Sequence, residues 1–409
     1  MKIAIIIEYN PFNQSSASAN RWLTLIEGLV NLGFKINLVI YGGYSSSDEL
    51  NKWNKKGLYN GISYHYVSTF LVQGYWQKRF DIYIGKNVRK AQLMSSIISS
   101  VEKDTDIVWT DSSLFGFKLA YKWKKLNRSG KLFLEMSEFI DIYKNNKGNF
   151  LQRLVGRKRE FFFENKAFYA YDGMALMTKT LLNHYQAFPK PQPQLLHLPM
   201  TVDLERFQST KKCLEEFKSP YIAFVGVMND AKEGVSILIN AFNSIKNKFS
   251  DYKLYLVGAW NYDTPIHLQL IKDLGLESRV FWMKEYSRDL IPNIISNADL
   301  LVLPRPDSKQ AQGGFPTKLG EYLASGNPVC ATRVGEIPDY LSDNESVFFA
   351  DPGSVESFTM AMEKALNNPE NSERVGLNGK MVAEKYFNKD VQAKKLFKFF
   401  KELNLNNVD

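Results

Sequence analysis

The sequence predicts an α/β protein with two domains. Apolar runs of strand length alternate with helix-length amphipathic segments along almost the whole chain, which is typical of parallel sheets covered by helices on both faces. The chain has 409 residues, more than one hydrophobic core usually organises, so two domains of about 200 residues each are expected. Its hydrophobic content of 44% and charged content of 23% are ordinary for a globular protein.

In the N-terminal half, short apolar runs predict the strands and amphipathic segments predict the helices. The first strand is predicted at residues 2–7, and a loop at 8–16 leads into a helix that Gly33 ends. Further strands are predicted at residues 34–40, 63–67, 106–110, 131–135, 173–177 and 195–198. The segments 74–103 and 150–170 are expected to be mainly helical.

A proline-rich stretch separates the two halves. Three prolines between residues 189 and 193 precede an irregular passage over 199–215, and the strand and helix patterns resume at Tyr221. We therefore divide the chain into an N-terminal domain over residues 1–200 and a C-terminal domain over residues 201–388. Residues 389–409 add a helix, whose predicted apolar stripe consists of Val391, Ala393, Leu396, Phe397, Phe399 and Phe400.

The most informative segment covers residues 313–329. It lies between two predicted buried strands, and it contains a glycine loop followed by a short helix. This arrangement puts Lys318 and Glu321 at the carboxyl edge of a parallel sheet, where open α/β sheets bind ligands. Because they are three residues apart, both side chains lie on one face of the helix. A cation beside a carboxylate suits a ligand that carries phosphate and sugar hydroxyls, although a surface ion pair has the same pattern.

Further motifs surround this segment. A strand, a lysine–glycine loop and a helix are predicted over residues 224–242, and another strand over 252–258; residues 280–282 then lead to a segment at 289–299, and residues 198–207 precede them all. In this order, over roughly 200 residues, they resemble the donor-binding signature of the retaining glycosyltransferases of family 4, the glycosyl transferases group 1. The N-terminal half resembles this family only in its strand and helix pattern.

The resemblance implies the GT-B fold, in which two Rossmann-like domains with parallel sheets face each other across a cleft. It implies that the N-terminal domain binds the acceptor, the C-terminal domain binds the nucleotide-sugar donor, and the last helix returns to the N-terminal domain. The implied activity is retaining, metal-independent transfer of a sugar from a nucleotide-diphosphate donor to a glycan or lipid-linked acceptor, as in surface polysaccharide biosynthesis. No cofactor is implied, since the nucleotide sugar is a substrate.

Two other functions fit the same resemblance. Nucleotide-sugar epimerases share the GT-B fold, but they use a denser set of cleft acids and histidines than the N-terminal half offers. A non-catalytic partner that binds a nucleotide sugar is the second alternative, because the chain departs from the family pattern at two positions described below. Analysis of the products separates transfer, epimerisation and binding alone.

The resemblance also assigns roles at the donor site. Glu321, the second Glu of the family's E-x7-E pattern, is expected to accept hydrogen bonds from both ribose hydroxyls. Lys232 matches the phosphate-binding lysine. The arginine that usually accompanies this lysine is missing, with Val227 near its place, so Lys318 and Arg305 are the expected substitutes around the diphosphate. The predicted donor-binding residues are Gly226, Lys232, Arg305, Gln312, Gly313, Gly314, Phe315, Lys318, Leu319 and Glu321.

The second departure concerns the transferred sugar. The family's first Glu falls at Gly313, eight positions before Glu321. The side chains of Gln310 or Gln312, or the backbone amides of Gly313 and Gly314, are expected to contact the sugar instead.

In the N-terminal domain, candidate acceptor or cleft residues follow the first strand. The loop there carries Ser15 and Ser16 where the family commonly has glycines, and Asn20 and Arg21 lie one helical turn further on. The serines also fit a helix cap, which uses the same backbone amides as anion binding does. Both interpretations stay open at this point.

Two further acidic candidates, Glu135 and Glu138, lie on either side of a predicted strand end. One of them is expected to orient an acceptor hydroxyl; the alternative is that both are paired with lysines. A dedicated base is not required, because the leaving phosphate is thought to assist deprotonation in retaining enzymes of this kind. The predicted catalytic residues are Lys232, Lys318, Glu321 and Glu138.

The formal net charge is +9, and basic residues concentrate in two groups of the N-terminal half. The first group is Lys118, Lys122, Lys124, Lys125, Arg128 and Lys131, and the second is Lys144, Lys147, Arg153, Arg157, Lys158 and Arg159. Because the second group runs into three phenylalanines at 161–163, it suits an anionic membrane surface; a solvated basic face is the alternative. Nucleic acid is not an expected partner, since no nucleic-acid module is visible.

The cysteines and histidines indicate neither a disulfide scaffold nor a metal site. The two cysteines, Cys213 and Cys330, lie in apolar surroundings, and the four histidines show no metal-ligand spacing. No run of about 18 apolar residues occurs, and residues 2–7 are too short for a signal peptide. We therefore expect a cytoplasmic protein, with peripheral contact at the inner membrane face as the location that the basic groups would favour.

Overall fold

The computed structural model describes residues 1–13, 16–44, 46–68, 86–140, 157–208, 212–218 and 220–405, with the backbone alone over 86–92. The chain forms two compact units. Unit 1 consists of Met1–Leu198 together with Ala393–Asp409, and unit 2 consists of Pro199–Gln392. Each unit contains its own sheet.

The described part of unit 1 contains an eight-stranded sheet in the order β3-β4-β2-β1-β5-β6-β7-β8. Neighbouring strands are parallel except for β3 and β4, which form an antiparallel hairpin at one edge. The strands are β1 Lys2–Ile7, β2 Lys35–Ile40, β3 Lys56–Tyr59, β4 Ile62–Tyr66, β5 Ile107–Thr110, β6 Lys131–Met136, β7 Gly173–Leu176 and β8 Gln194–His197.

Four helices in the described part of unit 1 begin at polar caps. Ser16, Ser46, Ser113 and Thr178 each accept a hydrogen bond from a backbone N–H in the first turn of the helix that follows, which satisfies one of the amides that a helix start leaves unpaired. The helices named in this unit are α1 Ala17–Asn31, α2 Ser47–Lys52, α3 Lys86–Ser100, α4 Leu114–Lys125 and α5 Lys179–Gln186, and the four caps belong to α1, α2, α4 and α5.

Apolar side chains cover both faces of this sheet. On one face the core includes Trp22, Ile26, Trp109, Phe133 and Leu396. On the other face it includes Phe117, Leu134, Phe163, Phe168 and Met174. Because both faces of the sheet are buried, the central strands have continuous apolar sequences.

The described part of unit 2 contains a six-stranded parallel sheet in the order β11-β10-β9-β12-β13-β14. The strands are β9 Tyr221–Val225, β10 Lys253–Val257, β11 Val280–Met283, β12 Leu300–Leu303, β13 Val329–Thr332 and β14 Phe348–Ala350. The chain runs outward in one direction from β9 to β11 and in the other from β12 to β14. The strand order therefore reverses between β9 and β12.

The helices of unit 2 connect these strands and cover the sheet. They are α6 Asp230–Glu233, α7 Val235–Ile245, α8 Thr264–Asp273, α9 Ile291–Ser296, α10 Lys309–Gly313, α11 Thr317–Ser325, α12 Ile337–Tyr340, α13 Val355–Asn367 and α14 Pro369–Val382. Among the described residues, no helix combines the length and the apolarity needed to cross a membrane.

The last helix, α15, covers Lys389–Leu405. From Ala393 onward it belongs to unit 1, where Leu396, Phe399, Phe400 and Leu403 join the core on the same face of the sheet as α1. The first residue of α15 belongs to unit 2, where the Lys389 ammonium lies 2.8 Å from an oxygen of Asp203. The part of the expected apolar stripe that contains Leu396, Phe399 and Phe400 is thus buried in the core of unit 1.

The predicted α/β class with Rossmann-like parallel sheets is confirmed, and several local predictions need correction. The hairpin strand β3 was not expected. The short helix α10 at residues 309–313, which Ser308 caps, was not expected before the glycine loop. The helix predicted over 150–170 falls partly on residues outside the described ranges, and its later part contains a π-helical turn at Phe163–Ala167 and a 3-10 turn at Phe168–Ala170.

Candidate functional site

The candidate site lies at the carboxyl edge of the unit 2 sheet, where β9 and β12 are neighbours. The strand order reverses at this point, and open α/β sheets bind ligands at such reversals. Gly226 follows β9 directly, Arg305 lies two residues beyond β12, and α11 begins at Thr317. The backbone N–H of Val225 donates to the hydroxyl of Tyr322 over 2.7 Å, so α11 is fixed to the end of β9.

Lys318 is the central cation of this edge. Its ammonium is 2.8 Å from Oε2 of Glu233 and 4.3 Å from the ring centroid of Phe224. Only 15% of the Lys318 side chain and 6% of the Glu233 side chain are exposed. A Cβ added at Gly226, whose φ is 152°, would collide with this ammonium. The bare backbone of Gly226 therefore makes room for the charge.

Two further cations lie near Lys318. Burial lowers the pKa of Lys318, Glu233 opposes this by raising it, and the positive charges of Arg305 and Lys232 lower it again. The structure thus brings together the three cations that were expected around a diphosphate. It also adds a carboxylate, Glu233, that sequence reasoning did not include.

The turn that carries Lys232 and Glu233 is well supported. The side chain of Asn229 accepts a hydrogen bond from the backbone N–H of Lys232 over 2.9 Å, so Lys232 lies in the one-turn helix α6 and not in the loop that was expected. Gly234 ends α6 with φ 67°, and a Cβ there would collide with the carbonyl of Pro304 after β12. Only glycine fits this close approach.

Asp230 connects α6 to α7 and α8. Its carboxylate accepts from the backbone N–H of Ser236 over 2.8 Å and from the Ser236 hydroxyl over 2.7 Å, and it lies 3.3 Å from Nε2 of His267. Burial raises the pKa of Asp230, but the hydrogen bonds from His267 and Ser236 outweigh burial and bring the pKa to about 2. The carboxylate is therefore charged near neutral pH and holds this turn in place.

Glu321, on the same helix as Lys318, is paired with Arg206. Nη1 of Arg206 is 2.5 Å from Oε1 of Glu321, and Nη2 donates to the backbone carbonyl of Arg288 over 2.5 Å. Both charged side chains are mostly buried, with exposures of 13% and 19%. One carboxylate oxygen of Glu321 is thus held by protein, and a ribose hydroxyl would meet a carboxylate whose orientation is already fixed.

The other predicted donor-binding residues fall into two classes. Phe315 and Leu319 are buried side chains of unit 2, and Phe315 packs against Tyr340 and Phe387. Their side chains therefore build the core, which leaves their backbone groups to meet a donor. Gln312 is exposed, and its amide donates to Asp307 over 2.7 Å.

Near the candidate sugar contact, Gly313 ends α10 and Gly314 caps it. Arg305 is 3% exposed, and its backbone carbonyl accepts from the Thr332 hydroxyl over 2.6 Å. These contacts fix the stretch between β12 and α11 to β13. The segment is thus built into the unit and does not extend from it as a free loop.

In unit 1, Arg21 and Glu135 form a buried ion pair. Nε of Arg21 is 3.1 Å from Oε1 of Glu135, and the two side chains are 2% and 4% exposed. Arg21 also donates to the carbonyl of Leu198 over 2.8 Å, and the Ser137 hydroxyl donates to Glu135 over 3.0 Å. The expectation that Arg21 and Glu135 present themselves to an acceptor is therefore wrong, because both are enclosed within the unit.

The remaining candidates of unit 1 have different surroundings. Ser16 caps α1 by accepting from Ala19 N over 3.2 Å, while Ser15 lies outside the described residues. Asn20 is half-buried in the first turn of α1, and Glu138 is exposed after β6. Of the acceptor candidates, Glu138 is thus the acidic residue that solvent reaches.

Sequence reasoning missed Asp111, at the carboxyl end of β5. Its carboxylate accepts from the hydroxyls of Tyr41 over 2.7 Å and Ser113 over 2.6 Å, and from the backbone N–H of Glu8 over 3.1 Å. Burial raises the pKa of Asp111, and these hydrogen bonds lower it in part. The signal in the sequence was a buried strand that ends in consecutive polar residues.

Comparison with known proteins finds a family model that matches part of unit 2. Residues 206–382 match the family described as "Glycosyl transferases group 1". The MMP alpha-(1->4)-mannosyltransferase of Mycolicibacterium hassiacum is 27% identical over 197 residues, which cover 48% of this chain and 45% of that protein. The chain thus matches less than half the length of this curated relative.

Solved structures are similar over nearly the whole chain. Sucrose-phosphate synthase from Thermosynechococcus elongatus superimposes with a TM-score of 0.78 at 14% identity, covering 99% of this chain and all 100% of that one. The Anabaena protein Alr3699/HepE in complex with UDP gives a TM-score of 0.68 at 13% identity, covering 98% and 100%. At these identities the similarity establishes the fold, and it confirms the GT-B prediction.

Proposed function

We propose that this chain is a glycosyltransferase that moves a sugar from a nucleotide-diphosphate donor to an acceptor, since residues 206–382 match the family described as glycosyl transferases group 1. The observation that carries the proposal is the Lys318 ammonium beside Gly226, at the carboxyl edge of a parallel sheet, with Lys232 and Arg305 near enough to act on its charge. Glu321 lies one turn along the helix that carries Lys318. Cations and a carboxylate at this spacing suit a diphosphate and a ribose.

The proposed chemistry follows from the charge that develops on the leaving group. As the bond between the sugar and the diphosphate breaks, negative charge grows on the diphosphate oxygens, and preorganised cations stabilise that charge. Lys318 is the best placed of the three, because its position is fixed by Glu233 and Phe224. Three positive charges supply this stabilisation without a metal ion, so we propose a metal-independent reaction.

We propose that the anomeric configuration of the sugar is retained. In same-face substitution the acceptor hydroxyl approaches beside the departing diphosphate, which takes up the hydroxyl proton. Such a reaction does not need a dedicated protein base. Glu138 is then an orienting group for the acceptor, and the backbone amides of Gly313 and Gly314, or Gln310 and Gln312, contact the transferred sugar.

The acceptor is proposed to be a glycan or a lipid-linked glycan of surface polysaccharide synthesis. The support is the basic surface of unit 1: Lys118, Lys124, Lys125 and Arg128 are exposed on α4 and just after it. Such a surface favours a cytoplasmic enzyme that works at an anionic membrane face. A lipid-linked acceptor would be presented at that face.

Two measurements test this proposal in sequence. Thermal unfolding is first followed with UDP, GDP and their uridine and guanosine counterparts; a diphosphate at about 100 times its dissociation constant should add roughly 2.7 kcal/mol of stability, and a nucleoside should add much less. UDP- and GDP-sugars are then incubated with candidate acceptors and the products are separated. A glycosylated acceptor supports transfer, whereas a free epimer or an unchanged donor would contradict it.

A further inference from the structure

Glu233 is a buried carboxylate at the donor edge that no role described so far explains. It ends the one-turn helix α6, where its backbone N–H donates to the carbonyl of Asn229 over 2.7 Å. The residue is 4% exposed, and its side chain is directed to the Lys318 ammonium at 2.8 Å. Burying a carboxylate costs free energy unless the carboxylate is paired. The positions of Glu233 and Lys318 therefore depend on each other.

The surroundings of Lys318 explain why a carboxylate is needed. Lysine has a long flexible stem, and its ammonium is a compact charge that turns easily toward water. Here the ammonium is withdrawn from water and lies near two other cations, Arg305 and Lys232. Burial and both positive charges disfavour the charged form, whereas Glu233 favours it. Glu233 is thus the carboxylate that holds the charge of Lys318 in place, beside the ring of Phe224.

We propose that Glu233 is a positioning residue for diphosphate recognition, holding the Lys318 ammonium over Gly226 at the end of β9. The inference rests on the proposed function, because it takes the diphosphate to be the anion that meets Lys318. Glu233 itself does not contact the nucleotide in this arrangement. It uses one of the three N–H donors of the ammonium and leaves the other two for diphosphate oxygens.

The same kind of pairing orients both charged residues on α11, the helix that carries Lys318. Lys318 and Glu321 are three residues apart on α11, and each is oriented by a partner from elsewhere in unit 2, Glu233 and Arg206 respectively. One face of a single helical turn therefore presents a fixed cation and a fixed carboxylate. A nucleotide diphosphate needs both at a constant separation.

The test measures binding of UDP and GDP by calorimetry to the full chain and to Glu233→Gln, between pH 7.5 and 9.5. Glutamine keeps the size of the side chain and removes its charge. We expect affinity to fall about tenfold at pH 7.5 and to fall further as pH rises, because Lys318 then loses its proton more easily. The wild-type affinity should fall less steeply over this range, because burial lowers the pKa of Lys318 but Glu233 opposes that shift.

Two variants complete the design. Glu233→Asp keeps the charge on a shorter stem, so it should bind more weakly than wild type but with the wild-type pH profile; it carries the test if Glu233→Gln does not fold. Glu363→Gln is the matched control, because it removes the carboxylate of an exposed pair, 3.3 Å from Lys248. Its affinity and pH profile should equal those of wild type.

Each other result overturns the inference in a recognisable way. Equal affinity and an equal pH profile for wild type and Glu233→Gln would mean that Glu233 does not position Lys318. Tighter binding by Glu233→Gln would mean that Glu233 competes with the diphosphate for the ammonium. If wild type binds neither UDP nor GDP, the proposed function fails, and the positioning role fails with it.

Discussion

The ammonium of Lys318 occupies the space that a side chain at Gly226 would need. A Cβ built at Gly226 would collide with Lys318 Nζ and would lie 2.9 Å from its Cε, closer than such atoms approach in proteins. The residue at the end of β9 and the cation on α11 are therefore matched to each other. A side chain at Gly226 would have to displace the Lys318 ammonium, and the φ of 152° there also favours glycine.

The substitution Gly226→Ala should displace Lys318 and weaken diphosphate binding about tenfold or more. The methyl group forces the ammonium away from the edge of the sheet, while Lys232 and Arg305 are left in place. Calorimetry with UDP and GDP measures the loss. Gly353→Ala is the control, since φ there is 81° and no atom lies within 4 Å of the added Cβ; it should lose stability through backbone strain but keep nucleotide affinity. Unchanged affinity in Gly226→Ala would contradict the assignment of Lys318.

Glu321 should recognise the ribose through its 2′-hydroxyl or 3′-hydroxyl. We expect wild type to bind 2′-deoxy-UDP more weakly than UDP, by up to about tenfold for one hydrogen bond to a charged group. Glu321→Gln should weaken UDP binding and should reduce the difference between the two ligands, because a neutral amide makes a weaker bond. The four affinities form a double-mutant cycle between protein and ligand.

The same cycle can contradict the role of Glu321. If Glu321→Gln lowers both affinities by the same factor, Glu321 does not contact the 2′-hydroxyl, and the 3′-deoxy ligand must be measured before a ribose contact is retained. Arg206→Lys is a useful companion variant. It keeps a positive charge beside Glu321 but loses the forked contact with the Arg288 carbonyl, so its effect should be smaller than that of Glu321→Gln.

The local part of the site could be predicted from sequence, but its long-range partners could not. Residues 313–329 lie between two apolar runs, so the edge of the sheet and the shared helix face of Lys318 and Glu321 follow from periodicity. Their partners are 85 and 115 positions away along the chain. Nothing in local spacing indicates which distant charge meets them.

Burial of charged groups was the second limit of prediction. Arg21 and Glu135 are 114 positions apart. Considered separately in the sequence, each residue is expected to face solvent or a ligand. The prior that charged side chains are exposed favours that interpretation. It fails here because the two residues meet inside unit 1 and satisfy each other.

The buried pair in unit 1 should contribute strongly to stability and little to nucleotide binding. Either Arg21→Met or Glu135→Gln leaves a partner enclosed without its counter-charge, which should cost about 3–5 kcal/mol of unfolding free energy. Denaturant unfolding measures this cost. Glu102→Gln is the control, because the Lys2–Glu102 pair is exposed and should contribute far less than the buried pair. Similar costs for the buried and the exposed pair would contradict this account.

Basic residues of unit 1 should bind anionic membranes, and Arg157, Lys158 and Phe161 are suited to test it. Arg157 and Lys158 are exposed, and Phe161 is 66% exposed beside them. Each basic residue near an anionic surface contributes about 1 kcal/mol, so Arg157→Gln with Lys158→Gln should weaken binding to phosphatidylglycerol vesicles about 30-fold, an effect that high salt reduces. The control removes the same charge from unit 2 through Lys272→Gln with Lys385→Gln, both exposed. Co-sedimentation that depends equally on both pairs would mean that net charge alone drives binding, and that unit 1 presents no specific membrane face.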